Sequence, residues 1–278
     1  MLEKKSKQTL PVTEAGQIAE GIYSMTVQYP ESCAPREVRP GQFVGVYPKD
    51  AASLLPRPIS ICEWNEGERT LRLVYRTVGR GTREFSGLRA QDEVDILGIL
   101  GNGYEVPSLK GKKILLLGGG IGAPPMLGLA EALYEANRVE EEDPRNFVTA
   151  VMGYRTKDLF LTEEFGRVSR LLISTDDGTA GIRGNVMDAV RALLEREPET
   201  RFDAICACGP MPMLRGVKAF AGELGIPAWI SLEERMACGV GACLGCLVKP
   251  VREDGHSHVH NARVCTEGPV FAAEDVEI

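Results

Sequence analysis

The first hundred residues carry their apolar positions in short runs, at 22–27, 43–46, 71–75 and 94–96. Pro30, Pro35, the Pro40-Gly41 pair, Pro48, Gly67, Gly79 and Gly81 cut these runs apart. Many short strands at close spacing, with turn residues between them, predict an antiparallel barrel or sandwich over residues 1–107. The pattern changes after Lys110-Gly111-Lys112. Residues 114–117 are continuously apolar and stop at three glycines, as a strand buried on both faces does. Met126, Leu129, Ala130 and Leu133 then share one helical face. Pro124 and Pro125 suit a first helical turn, where a missing N–H is harmless. The acidic stretch 140–146 reads as a surface loop. Strand-like runs at 147–152, 171–174, 204–208 and 228–232 alternate with two further helical patterns, at Val186, Ala189, Val190 and Leu193 and at Leu214, Val217, Ala221 and Leu224. This alternation predicts a doubly wound parallel sheet over residues 108–230. Residues 231–278 show little periodicity, and so short a segment needs a staple to fold compactly.

Length and composition fit this division. A chain of 278 residues accommodates two domains and a smaller third, and 44% hydrophobic with 26% charged residues excludes a disordered chain. Lys plus Arg total 32 against 39 for Asp plus Glu, a net charge of −7. That acidic balance argues against nucleic-acid binding, which needs a basic surface. No apolar run reaches the roughly 18 residues of a membrane helix. The polar N-terminus lacks the apolar core of a signal peptide. The expectation is a cytoplasmic protein with neither nucleic acid nor membrane as partner.

Disulfides are rare in the cytosol, so clustered cysteines there read as metal or cofactor ligands. Cys238, Cys243 and Cys246 make C-x4-C-x2-C, and Cys265 follows after residues 247–264. This is the plant-type [2Fe–2S] spacing. Gly239, Gly241 and Gly245 leave room for backbone amides to turn toward sulfur. The alternative is structural zinc, which more often shows paired C-x2-C knuckles where this chain has one. His256, His258 and His260, between the third and fourth cysteines, read as an exposed polar arm. Cys206 reads as a small buried hydrophobe.

Three further motifs can bind a nucleotide. Gly118-Gly119-Gly120-Ile121-Gly122 lies between a strand and a helix, where backbone N–H groups approach phosphate, although a bare turn explains it equally well. Cys208-Gly209-Pro210-Met211 ends a later strand and would border the same crevice. Arg57-Pro58-Ile59-Ser60, Val74-Tyr75-Arg76 and Gly79-Arg80-Gly81-Thr82 offer cations for a diphosphate and groups that bond or pack on a planar ring. Taken alone, they also describe a strand pair with surface arginines. Asp176-Asp177-Gly178 reads as a turn. No GxSxG, HExxH or P-loop lysine is present.

Together these residues resemble the ferredoxin-reductase flavoprotein superfamily. Within it they are most similar to the electron-transfer subunits of NAD-dependent dihydroorotate dehydrogenase B. Leu100-Gly101-Asn102-Gly103-Tyr104 and the run from Ser231 to Cys238 carry the resemblance along with the motifs above, in family order. The spacer before Cys265 is longer than the family's, through an insertion around 253–260. The resemblance implies an FAD-binding barrel at 1–107, an NAD-binding α/β domain at 108–230 and a [2Fe–2S] module at 231–278. It implies that Arg57, Pro58, Ile59, Ser60, Val74, Tyr75, Arg76, Gly81 and Thr82 hold FAD. Gly118, Gly119, Gly120, Ile121, Gly122, Cys208, Gly209, Pro210 and Met211 would border NAD(H), with Cys208 nearest the nicotinamide and no acid or base assigned. Cys238, Cys243, Cys246 and Cys265 would ligate the cluster.

The implied activity is a relay in pyrimidine biosynthesis. Electrons would pass from the FMN of a catalytic dihydroorotate dehydrogenase subunit through [2Fe–2S] and FAD to NAD+, in a heterotetramer of two subunits of each kind. Val240, Ala242 and Leu244 would meet that partner or simply wrap the cluster. One alternative is a related reductase subunit of another complex (sulfite reductase, hydrogenase or ferredoxin:NADP reductase), with Arg155 and Lys157 near a 2′-phosphate. Another is a zinc-stapled, non-catalytic binding module.

Overall fold

A computed structural model describes residues 5–138, 143–253 and 260–278. Six strands, β1 (Ser6–Ala19), β2 (Ile22–Gln28), β3 (Phe43–Tyr47), β4 (Arg57–Asn65), β5 (Thr70–Arg76) and β6 (Glu93–Leu100), close an antiparallel barrel. Their order is β1-β2-β5-β4-β3-β6, with β6 pairing back to β1. Inward-facing Leu10, Met25, Val44, Ile61, Leu73 and Ile96 fill it. Helix α1 (Arg80–Phe85) adds Phe85, edge-on to Tyr75. Strand β1 carries almost no apolar signal, because only Leu10 and Val12 along it are buried. The hydrophobic runs thus announce four of the six strands; β1 has none, and β4 is marked only by its Arg57–Ser60 motif.

The α2 turn (Val106–Leu109) leads into β7 (Ile114–Gly119), which is followed by α3 (Ala123–Ala136), β8 (Val148–Tyr154), α4 (Thr162–Val168), β9 (Arg170–Thr175), β10 (Ile182–Arg183), α5 (Val186–Arg196), β11 (Ala204–Cys208), α6 (Met211–Leu224) and β12 (Ala228–Ser231). Residues 140–142 of the acidic stretch lie outside the described residues. The rest of it is not purely loop: Pro144–Phe147 forms a 3-10 turn capped by Asp143, so β8 starts one residue later than its apolar run. The last segment contributes β13 (Leu247–Val248), β14 (Ala262–Arg263) and β15 (Val270–Ala272).

One seven-stranded sheet has the order β10-β9-β8-β7-β11-β12-β15, parallel throughout except for the antiparallel edge β15. Central β7 is buried on both faces. Leu116 packs in one core with Met126 and Leu129 of α3, while Leu115 and Leu117 pack in the other with Val190 of α5 and Val217 of α6. From β7 the chain moves outward through β8 and β9, then returns to the opposite side at β11. That reversal opens a crevice at the carboxyl ends of β7 and β11.

Barrel, sheet and cysteine segment are joined tightly. Helix α3 lies against β4, and a β-carbon at Gly128 would sit 2.5 Å from the Cys62 carbonyl oxygen. Cys246, Val264 and Cys265 are buried in the same apolar core as Phe43, Leu97 and Leu100 of the barrel and Ile205 and Ile230 of the sheet. The C-terminal segment thus shares a core with both neighbours, and β15 completes the sheet. Sharing a core is one way a segment too short for its own can fold.

Candidate functional site

Strands β4 and β5 pair from Asn65–Thr70 to Ile61–Leu73 and then part. Beyond that point β4 pairs with β3 and β5 with β2. Arg57, Pro58, Ile59 and Ser60 on β4, and Val74, Tyr75 and Arg76 on β5, lie where the two strands have parted, the barrel opening. Arg57 crosses to the first turn of α1, where a β-carbon at Gly81 would lie 2.9 Å from its Nε. Its Nη1 donates to the Leu55 carbonyl at 2.6 Å. The Thr82 hydroxyl accepts from the Val78 and Gly79 N–H groups at 3.0 and 3.1 Å and donates to the Gly79 carbonyl at 3.2 Å. Thr82 therefore shapes this turn with its own side chain. Val74 and Tyr75 are buried, and the Tyr75 ring stacks on Tyr23 with centroids 6.2 Å apart. Burial, then Tyr23, raises the Tyr75 hydroxyl well above the usual range, so it stays protonated.

The two glycine-containing motifs meet at the sheet reversal. Gly118 and Cys208 are register partners across β7 and β11. A β-carbon at Gly122 would overlap the Cys208 carbonyl, and one at Gly119 would lie 2.9 Å from Pro210 Cδ and 2.7 Å from Met213 Sδ. Only bare backbone fits there. Gly120 has a left-handed φ of 55°, and a β-carbon on it would lie 3.2 Å from Arg76 Nη2. The barrel opening and the crevice are therefore adjacent. Ile121 and Met211 pack their side chains against the cores on either side of the sheet. Gly209 lies against Met213. Burial pushes the Cys208 thiol up to about 12, against a Ser231 hydrogen bond that lowers it. Cys206 is fully buried within the core, and burial raises its thiol further.

The loop from Cys238 to Cys246 is built to point amides at sulfur. Val240, Ala242 and Cys243 N–H groups donate to Cys238 Sγ at 3.3–3.4 Å. Gly241 N–H donates to Cys265 Sγ at 3.2 Å, and Gly245 N–H to Cys243 Sγ at 3.4 Å. Gly239 and Gly241 have φ of 68° and 81°, the left-handed turns such a loop needs. Burial raises the Cys238 thiol, but these amides and the Cys243 side chain together outweigh it and bring it down to about 6. Burial and the neighbouring Cys246 push Cys265 up.

Cys243 is a near neighbour of Cys238, and Cys246 of Cys265, so the thiols fall into two neighbouring pairs. Among the described residues, no three His, Cys, Asp or Glu side chains gather to hold one metal ion. Cys246 and Cys265 are buried, whereas Val240, Ala242, Cys243 and Leu244 are exposed. His256 and His258 lie outside the described residues. His260 is exposed, with Nδ1 3.0 Å from the Pro250 carbonyl oxygen.

Asn102 ties the cysteine segment to the barrel. Its Nδ2 donates to the Glu267 and Val270 carbonyls at 2.9 and 2.8 Å, and its Oδ1 accepts from Val270 N–H at 3.0 Å. Tyr104 Oη donates to the Ala207 carbonyl of β11 at 3.1 Å. A β-carbon at Gly239 would lie 3.1 Å from Leu100 Cδ1. The stretch 100–104 thus touches all three parts of the site.

Residues 233–277 match the family model of the iron-sulfur cluster binding domain of dihydroorotate dehydrogenase B. The chain is 39% identical over 273 residues to the dihydroorotate dehydrogenase B (NAD(+)) electron transfer subunit of Fusobacterium nucleatum, covering 96% of this chain and 97% of that protein. It belongs to this family. The electron transfer subunit of Bacillus velezensis is 36% identical over 275 residues, covering 98% and 99%. Among solved structures, an NADH-dependent reduced ferredoxin-NADP oxidoreductase, studied for flavin-based electron bifurcation, superposes with a TM-score of 0.81. It is 31% identical and covers 96% of this chain and 89% of that one. A ferredoxin NADP+ reductase from Neisseria gonorrhoeae, at 16% identity and a TM-score of 0.62, covers 84% and 95% and shares the fold.

A dihydroorotate dehydrogenase B electron transfer subunit is part of an oxidoreductase, and the name implies a catalytic partner subunit. The matched segment contains all four cysteines and the three residues that Asn102 and the Asn102 backbone bind, Glu267, Gly268 and Val270. Motif reading singled out the stretch 100–104 but not the part Asn102 plays in it. It also missed Thr266 and Arg263, which pack beside the cysteine loop. Their one sequence signal is adjacency to Cys265.

Proposed function

We propose that this chain relays electrons from an FMN-containing dihydroorotate dehydrogenase subunit to NAD+, using a [2Fe–2S] cluster at Cys238, Cys243, Cys246 and Cys265 and FAD at the barrel opening. The observation that carries the reading is the contiguity of the three motif groups. Gly120 of the sheet meets Arg76 of the barrel, and Leu100 of the barrel meets Gly239 of the cysteine loop. Bound together, these cofactors convert single electrons into a hydride, which side chains cannot do.

The chain's own residues set the geometry. Arg57 is placed to neutralise the FAD diphosphate, with Gly81 bare so that its guanidinium can lie flat on the turn. Ser60 and the buried Tyr75 flank the opening for the flavin ring. The turn of Gly118, Gly119 and Gly120 presents backbone to the nicotinamide nucleotide at the sheet reversal. Cys208 stays neutral, so it places no thiolate beside the nicotinamide. The C-x4-C-x2-C spacing with a distant fourth cysteine, and amides aimed at three of the four sulfurs, support two irons over the single tetrahedral ion of structural zinc.

The exposed Val240, Ala242 and Leu244 support docking of the catalytic subunit over the cysteine loop, where electron transfer needs short separation. A heterotetramer with two subunits of each kind is the proposed assembly. Among the described residues no helix is long and apolar enough to cross a membrane. A cytoplasmic location is part of the same proposal. So is the division into an FAD barrel at 1–107, a nucleotide domain at 108–230 and a cluster module at 231–278.

The test is anaerobic co-purification of the tagged chain from its native cells. Dihydroorotate-dependent NAD+ reduction should co-elute with a second, FMN-containing subunit. A yellow-brown eluate that oxidises NADH but ignores dihydroorotate would assign the relay to another redox complex. A colourless eluate would remove the relay altogether.

A further inference from the structure

The Thr266 hydroxyl is buried and has no hydrogen-bond partner among the described residues. A hydroxyl in that position bears its desolvation cost with nothing to offset it. Its surroundings are well fixed. Thr266 N–H donates to the Arg263 carbonyl at 3.1 Å, in a turn closed by the Arg263–Glu267 ion pair at 2.8 Å. That turn sets Thr266 directly after Cys265 and against the cysteine loop. A β-carbon at Gly241 would lie 2.9 Å from Thr266 Cγ2 and 3.4 Å from Thr266 Oγ1. Gly241 N–H itself donates to Cys265 Sγ at 3.2 Å. An unpartnered donor therefore lies beside an amide already aimed at a cysteine ligand.

We propose that the Thr266 hydroxyl donates its hydrogen bond to a sulfur of the cluster held by these cysteines and thereby raises its reduction potential. The proposal rests on the reading in which Cys238, Cys243, Cys246 and Cys265 hold a two-iron cluster. Reduction adds negative charge to the cluster and its sulfurs. A donor stabilises the reduced form more than the oxidised one, so hydrogen bonds to sulfur move the potential upward. Thr266 then tunes how readily electrons enter this chain.

The experiment is a redox titration of the anaerobically purified complex, followed by the EPR signal of the reduced cluster, with iron and sulfide measured on each sample. The wild type must show iron, sulfide and the signal. Their absence refutes the cluster reading itself, separately from the role of Thr266. Thr266→Val and Thr266→Ala should keep iron and titrate at lower potential. The expected size is about a tenfold change in the one-electron equilibrium, about 59 mV. Thr266→Ser should keep the wild-type midpoint. Loss of iron from the Val and Ala proteins while the Ser protein retains it also supports the contact. A wild-type midpoint in an iron-replete Val or Ala protein overturns the proposal, as does loss of iron from all three variants.

Discussion

Asn102 and Val270 hydrogen-bond to each other twice, side-chain amide to backbone carbonyl at 2.8 Å and backbone N–H to side-chain oxygen at 3.0 Å. The pair joins the exit of the barrel to the edge strand that follows the last cysteine. Asn102→Ala deletes both bonds and a third, to the Glu267 carbonyl. Partly buried backbone groups are then left unpaired, at a cost of about 1–3 kcal/mol. Urea denaturation should show that loss, and hydrogen exchange at the Val270 amide should accelerate. Unchanged exchange at Val270 would show that the bond does not hold the two segments together.

Cys243 is the exposed member of its thiol pair and accepts the Gly245 amide. Cys243→Ser should lower bound iron and bleach the visible spectrum. Cys33→Ser should leave both unchanged, because Cys33 lies outside the loop, packed against the barrel core. Full iron content and wild-type electron transfer in the Cys243 variant would reassign the ligand set.

The legible parts of the fold are those whose burial is one-sided or complete. Residues 204–208 coincide with β11, and the apolar run 114–117 lies within β7, which continues through Gly118 and Gly119. Strand β1 was illegible because it is an outer barrel wall with only two buried side chains. Edge strand β15 was illegible because its three residues are specified by Asn102 and β12 rather than by periodicity. In the site, the cysteine spacing could be read because chain-local chemistry fixes it. Asn102 and Thr266 act across 168 residues and across the loop respectively, and no local pattern reports that kind of contact.

Two glycines with opposite surroundings make a paired prediction. A β-carbon at Gly122 would overlap backbone of Cys208, so the strand end must move. Gly122→Ala should weaken NADH binding severely, with a smaller effect on flavin content, and binding titrations with NADH measure it. At Gly222, inside α6, a β-carbon meets nothing within 4 Å. Gly222→Ala should stabilise the protein by about 0.4–1 kcal/mol through the unfolded state. Normal NADH affinity in the Gly122 variant would remove that turn from the nucleotide site.

Where α3 and α4 meet the barrel, three carboxylates share one guanidinium. Arg72 lies 3.7 Å from Glu63 and 3.5 Å from Glu164, and Glu131 of α3 adds a third acid to the group. Burial first, then Glu63 and Glu164, raise Glu131 to about 7 against the lowering by Arg72. The unfolded chain releases this proton near 4.5, its ordinary value. Between those two values the folded protein holds a proton that the unfolded chain has lost. The stabilisation is therefore full below about 4.5 and disappears as pH rises through about 7. Its size, allowing for the exposed part of the side chain, is about 1–3 kcal/mol. Glu131→Gln keeps the shape and removes the titration. The variant should unfold at higher urea than the wild type at about pH 8 and at nearly the same urea at about pH 5. Its stability should then vary less between those two pH values. Parallel pH profiles for the two proteins would show that the charge at this junction is relieved by solvent and not by a shared proton.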